Sequence, residues 1–299
     1  MHINQNEALQ QFITYVQLEK NYSVLTTAAY EQDLKEFFAF LSEEGIDRLE
    51  EVEYLHARLY VTKLYNEQKA RATISRKISS IRSFFRFLNR DFELDDAPFQ
   101  ALYHPKKESR LPRFFYEEEL KVLFEANKGE TPKEIRELAL LELLYATGIR
   151  VSELVSIELK DVDFSLSIIR VMGKGRKERY VPFGQFAHEA MELYVNEARP
   201  ILMKKQQHET LFVNMKGLPL TARGVRYILN DVVEKSDLTA KIHPHMIRHT
   251  FATHLLNNGA DLRTVQELLG HASLSSTQVY THITNEHLRK TYMNAHPRA

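Results

Sequence analysis

Ile74, Ile78, Ile81, Phe85 and Leu88 recur at steps of three and four, which places one apolar stripe along a helix and predicts that this face is buried. The rest of the first hundred residues reads similarly, as helices joined by short connectors, without a convincing run of period two. Farther along, Thr131-Pro132-Lys133-Glu134 combines an N-cap threonine, a first-turn proline and a capping-box glutamate, which predicts a helix start. That helix carries Leu138, Leu141 and Leu144 and should stop at Gly148, leaving Arg150 just past its end. Residues 168 to 172 and 179 to 183 are rich in β-branched or aromatic side chains and read as two strands, with Gly173-Lys174-Gly175-Arg176-Lys177 as the hairpin loop between them. Further helices are expected from Pro244 to the stop at Asn258-Gly259, from Asp261 to Gly270, and from Asn285 to Tyr292. The expected fold is mainly α with a small antiparallel β-sheet.

His104-Pro105-Lys106-Lys107-Glu108-Ser109-Arg110-Leu111-Pro112-Arg113 has two prolines, five basic residues counting His104, and little to bury, so it marks the best domain boundary. The organisation this predicts is a helical domain over residues 1–105, a linker over 106–113 and a second domain over 114–299, which suits a chain of 299 residues.

Composition narrows the chemistry. The chain has no cysteine, so disulfides, thiolate metal sites and a cysteine nucleophile are excluded. Its N-terminus, MHINQNEALQQFITYVQ, is too polar for a signal peptide, and apolar runs such as Leu138 to Tyr145 are short and interrupted by Glu142. A soluble, cytoplasmic protein with no membrane insertion is expected. Forty basic and forty acidic residues give zero net charge, a weak argument against nucleic acid that the distribution reverses. Between Lys63 and Arg90 lie eight basic residues against Glu67 alone, whereas Glu31 to Glu53 holds nine acidic residues against Lys35 and Arg48. Arg82, Arg86 and Arg90 lie four apart on one face of the 74–88 helix. Read alone, that face is an ordinary solvated helix surface, with Arg76, Lys77, Arg82 and Arg86 as candidate DNA contacts in the alternative.

The candidate chemistry lies beyond the linker. Arg150, Lys174, His245, Arg248, His271 and Tyr280 are the residue types needed to cut and rejoin a phosphodiester. Arginine forks grip non-bridging phosphate oxygens in two-point contacts, and their charge helps most as the phosphorus becomes five-coordinate. A tyrosine oxygen can attack and hold the cut end. A lysine can protonate a departing oxygen, and histidines can orient phosphate or move the tyrosine proton. Each has a plainer alternative. Tyr280 is one of 14 tyrosines and could be a packing residue, Arg150 could pair with Glu153, and Lys174, Arg176, Lys177 and Arg179 could all simply touch phosphate. His245 and His249 are four apart, yet Met246 stands where a zinc-protease motif needs glutamate, so no metal site is expected and His249 and His254 read as structural.

The strings ATGIRVSEL, VMGKGRKERYVPF, HPHMIRHTFATHLLNNGADLRTVQELLGH and SLSSTQVYTH resemble those of the tyrosine recombinase (lambda-integrase-like) family, in its Xer subgroup, over essentially the whole chain. The resemblance implies that Tyr280 is the nucleophile, that Arg150, Arg248, His245 and His271 act on the phosphate, and that Lys174, rather than its basic neighbours, is the acid. It also implies a helical N-terminal clamp that grips double-stranded DNA at a specific site, with Arg76, Lys77, Arg82, Arg86, Arg176 and Lys177 among the contacts. Four protomers on two duplexes, a paralogous Xer partner, control by a division-associated DNA translocase and a C-terminal tail docked on a neighbouring protomer are further implications. No cofactor is implied, because the phosphotyrosine ester conserves the bond energy. The alternatives are an integrase of a mobile element, a type IB topoisomerase-like enzyme and a catalytically silent DNA-binding protein.

Overall fold

The computed structural model describes residues 4–20, 22–94, 97–105, 113–173, 177–236, 238, 242, 244–270 and 285–299. The chain divides into two compact units, residues 1–110 and 111–299, and each has its own apolar core.

The first unit consists of α1 (Gln5–Leu18), α2 (Val24–Glu43), α3 (Tyr54–Asn66), α4 (Arg71–Phe92) and the short α5 (Ala97–Gln100). Asn4 and Ser23 accept backbone N–H groups at the starts of α1 and α2, satisfying donors that a helix start leaves unpaired. The predicted stripe on α4 is buried at Ile74, Ile78, Ile81, Phe85 and Leu88, and Phe12, Phe37, Phe84 and Phe99 complete an aromatic core. Phe37 meets Phe99 edge-on at a centroid distance of 5.3 Å, and Phe12 meets Phe84 the same way, also at 5.3 Å. Each such ring contributes roughly 2–3 kcal/mol by burial, which lets a polar-faced helix such as α4 hold its place.

The second unit contains α6 (Glu117–Glu125), α7 (Pro132–Thr147), α8 (Val151–Leu154), a three-stranded antiparallel sheet, α9 (Gln185–Leu193), a π-helical turn at Tyr194–Ala198, α10 (Arg199–Met203), α11 (Ala222–Glu234), α12 (Pro244–Asn257), α13 (Leu262–Leu269) and α14 (Asn285–Ala295). Strands β1 (Val162–Asp163), β2 (Ile168–Met172) and β3 (Glu178–Pro182) run in order 1-2-3, with Val171 opposite Arg179 and Ile169 opposite Val181. Strand β1 is too short to leave a period in the sequence. Helix α7 starts at the predicted capping box and ends at Gly148, which is left-handed at φ 59°. It is buried on all sides rather than along one stripe, because α9, α10, α11 and α12 all pack against it. Its buried Glu142 is neutralised by Arg298, whose Nε donates over 3.1 Å.

Helix α14 packs against its own unit. Tyr292 is fully buried, stacks on His296 at 4.8 Å and accepts the Gly184 N–H over 3.0 Å. A Cβ on Gly184 would fall 2.1 Å from the Arg298 carbonyl, so glycine admits the chain end there. Among the described residues, no helix is long and apolar enough to cross a membrane.

Candidate active site

Gly148 turns the chain sharply out of α7, and buried Ile149 anchors the turn. Arg150 follows as the extended N-cap of α8, with its side chain 37% exposed. Its backbone N–H donates to Glu153 Oε2 over 2.8 Å and its Nη1 to Oε1 over 2.9 Å. The Arg150–Glu153 pairing read from spacing is therefore real, but it does not exhaust the arginine.

Arg248 sits one turn into α12, on the other side of the same corner. Its Nη1 donates to the Gly148 carbonyl over 2.6 Å and its Nη2 to the Leu269 carbonyl over 2.7 Å. Both acceptors lie at helix C-termini, where carbonyls lack intrahelical partners and the peptide dipoles favour a cation. Burial, then the positive charges of Arg150 and Arg179, push Arg248 down to about 10, against the opposing pull of Glu153. It remains charged at neutral pH, half-buried beside two other cations.

Arg179 joins this crowd from β3. Its Nη1 and Nη2 donate to Glu153 Oε1 and Oε2 over 3.1 and 2.9 Å, and its Nε donates to the Leu268 carbonyl over 3.1 Å. Burial raises the proton affinity of Glu153, but hydrogen bonds from Arg179 and Arg150 outweigh it and hold the carboxyl below the usual range. Sequence reasoning grouped Arg179 with the loop cations that touch phosphate. The signal against that reading is parity: on β3, Arg179 shares a face with buried Val181, while Glu178 and Tyr180 point to solvent.

His245 is exposed on the first turn of α12, three residues before Arg248 and hence beside it on the helix surface. His249 lies edge-on to Phe114 at 6.2 Å, and His254 is buried with its Nδ1 2.8 Å from the Tyr145 hydroxyl, so both are part of the packing. Lys174, Arg176, His271 and Tyr280 lie outside the described residues. Their flanks are defined: the Gly173 N–H donates to the Lys177 carbonyl over 2.8 Å, closing the hairpin base, and Gly270 caps α13 in a left-handed conformation with φ 65°. Arg150 and Arg248 thus meet at one corner, with Glu153 and Arg179 added by the structure and exposed His245 one turn before Arg248 on α12. Three guanidinium groups around one carboxylate leave an excess of positive charge suited to a phosphodiester.

The candidate DNA contacts in the first unit fare differently. Lys77 is 2% exposed, and its ammonium donates to Asp33 over 3.0 Å and to Glu36 over 2.7 Å, so it is an internal ion pair and has no charge to offer a phosphate. Arg76 is paired with Asp33 but keeps an exposed side chain. Arg82 donates its Nε to the Phe99 carbonyl over 2.7 Å and its Nη2 to the Leu102 and Gln100 carbonyls, which fastens the chain after α5 onto α4. Arg86 and Lys177 are exposed. The acidic run on α2 and the basic run on α4 thus partly neutralise one another.

The phage integrase family model matches residues 113–287, and the N-terminal SAM-like domain model of phage integrases matches residues 9–91. A tyrosine recombinase XerC of Bacillus subtilis is 53% identical over 96% of this chain and 95% of its own, and one from Staphylococcus haemolyticus is 54% identical over 96% of both. The chain belongs to the phage integrase family of tyrosine recombinases. Its activity is that of a tyrosine site-specific recombinase, and its relatives are XerC proteins. A solved XerH recombinase bound to a difH substrate in a pre-cleavage complex has the same fold, with a TM-score of 0.68 at 22% identity over 94% of this chain and 83% of that one.

Proposed function

We propose that this recombinase resolves chromosome dimers at segregation, in the cytoplasm, together with a XerD-like partner in a heterotetramer on two DNA sites and under a division-associated DNA translocase. The XerC relatives support that role. The observation that carries the chemistry is the cluster of Arg150, Arg179 and Arg248 around Glu153, with Arg248 anchored on two helix C-termini. Arg150 and Arg248 grip the non-bridging oxygens of the scissile phosphate, and His245 and His271 orient it. The Tyr280 oxygen attacks phosphorus and passes its proton to one of these histidines, while the 5′ oxygen leaves and takes a proton from Lys174. The product is a 3′-phosphotyrosine and a free 5′ hydroxyl. Attack by the partner strand's 5′ hydroxyl releases Tyr280 and completes the exchange, with one ester bond made for each one broken. Exposed Arg86 and Lys177, with Arg176 and Arg76, contribute backbone contacts.

The test is to incubate the protein with fragmented chromosomal DNA of its own host and to sequence the fragments that end in a covalent protein adduct. Recovery of one site, at which Tyr280→Phe binds but forms no adduct, is the expected result. Adducts scattered over many sequences, with relaxation of supercoils by a monomer, would favour a topoisomerase-like enzyme instead.

A further inference from the structure

Glu153 is saturated. Its Oε1 accepts from Arg150 Nη1 and Arg179 Nη1, and its Oε2 accepts from the Arg150 backbone and Arg179 Nη2, so four donors occupy the four lone-pair positions of the carboxylate. Two of the four come from Arg179. With that arginine gone, Glu153 would be held by Arg150 alone, and the Arg150–Glu153 pair would lose its tie to β3 and to the end of α13. Arg179 also reaches beyond Glu153. Its Nε holds the Leu268 carbonyl at the end of α13, and its guanidinium lies against Gly270, where a Cβ would fall 2.9 Å from Nη1. Its own backbone is in β3, directly after the hairpin whose base is closed between Gly173 and Lys177. One side chain, 13% exposed, therefore joins the hairpin strand, the α8 corner and the end of α13.

We propose that Arg179 is a positioning residue for strand cleavage, holding Arg150 in register with the β2–β3 hairpin through the shared carboxylate of Glu153. The proposal rests on the reading of Arg150 as a phosphate clamp. Arg179 does not touch the phosphate, because its fork and its Nε are turned inward onto protein acceptors. Lysine cannot replace it, since a single ammonium cannot meet both carboxylate oxygens and a carbonyl on different segments at once.

The experiment is a double-mutant cycle of Arg179→Ala and Arg150→Ala, read as the single-turnover rate of covalent adduct formation at saturating DNA, on a nicked duplex carrying the site recovered with the parental protein. Arg179→Ala should slow cleavage about a hundredfold, the size of effect a small misplacement produces, while DNA retention changes less than about threefold. The double variant should be no slower than Arg150→Ala, because the two arginines act as one unit. Arg179→Lys keeps the charge and should still be slowed at least about tenfold. If Arg179→Ala does not fold by thermal melting, Arg179→Lys takes its place in the cycle. Losses that multiply, or an Arg179→Lys protein that cleaves at the parental rate, would overturn the positioning role while leaving the clamp intact. An Arg150→Ala protein that cleaves normally would instead overturn the clamp itself, and the proposal with it.

Discussion

In the N-terminal unit, Asp33 and Glu36 face Lys77 and Arg76, two carboxylates to two cations, and Ser80 fills the remaining valence of Asp33 over 3.2 Å. In the C-terminal unit, the single carboxylate of Glu153 faces Arg150 and Arg179, with Arg248 close enough to lose proton affinity to both of those arginines. Each cluster has at least one buried carboxylate at its centre, Asp33 in the first and Glu153 in the second. The first is balanced and holds two helices together. The second has an excess of cations, which suits an anionic ligand, and Arg248 is fixed there by two protein carbonyls. An ion cluster is thus informative about function through its balance more than through its burial.

The largest effect should come from removing a cation from the second cluster. Arg248→Ala is expected to lower the rate of adduct formation on a nicked site about 10²–10³-fold, worth about 2.7–4 kcal/mol in the transition state. Retention of DNA in a gel shift should change little. Comparable loss of binding and cleavage would mean that Arg248 serves the ground state, and the contrast with the balanced cluster would weaken.

Asp33→Ala attacks the balanced cluster instead. It leaves the buried Lys77 with Glu36 alone, and should cost on the order of 3 kcal/mol in urea unfolding of the full chain. The folded variant should cleave normally once bound. Stability unchanged within error would show that Glu36 suffices for Lys77.

The buried His296 gives a pH-dependent prediction. Burial first, and then the positive charges of His254 and Arg298, push it down to about 3 even though it donates to the Tyr145 carbonyl over 3.3 Å. In the unfolded chain it titrates at about 6.5, so between these values only the unfolded state takes up the proton. Its contribution is therefore fully present above about 6.5 and declines by roughly 1.4 kcal/mol per pH unit as pH falls toward 3. His296→Gln should flatten the stability profile between pH 6 and pH 4, on the order of 1 kcal/mol per unit by the same slope. A parallel profile for parent and variant would assign the acid sensitivity to another group, His254 first, whose proton affinity burial also lowers.

The smallest effect separates Arg86 from Arg82. Arg86→Ala should reduce the slope of log affinity against log salt by about one, as expected for one lost phosphate contact. Arg82→Ala should leave that slope alone and lower the melting temperature, because its donors are spent on the Phe99 and Leu102 carbonyls. Equal slopes for both variants would return this face of α4 to an ordinary solvated surface.

Much of the fold was legible in local signals. The capping box at Thr131, the left-handed stops at Gly148 and Gly270, the stripe from Ile74 to Leu88 and the hairpin around Gly173 all act within a few residues, and the observed elements follow them to within a residue or two. Arg150, His245 and Arg248 were also legible as candidates, through the strings ATGIRVSEL and HPHMIRHT that resemble those of tyrosine recombinases. What remained hidden was pairing. Lys77 and Arg82 belong to the same basic run as exposed Arg86, and only the approach of α2 and of the chain after α5 shows that their charges are used inside the unit. Arg179 was equally ambiguous among the hairpin cations until β3 turned it toward Glu153, 26 positions away. Capping and periodicity are properties of neighbours along the chain, so the sequence by itself determined the elements and the reactive residue types. Which charge meets which is a property of neighbours in space, where partners compete for the same carboxylate, and only the tertiary structure decided that.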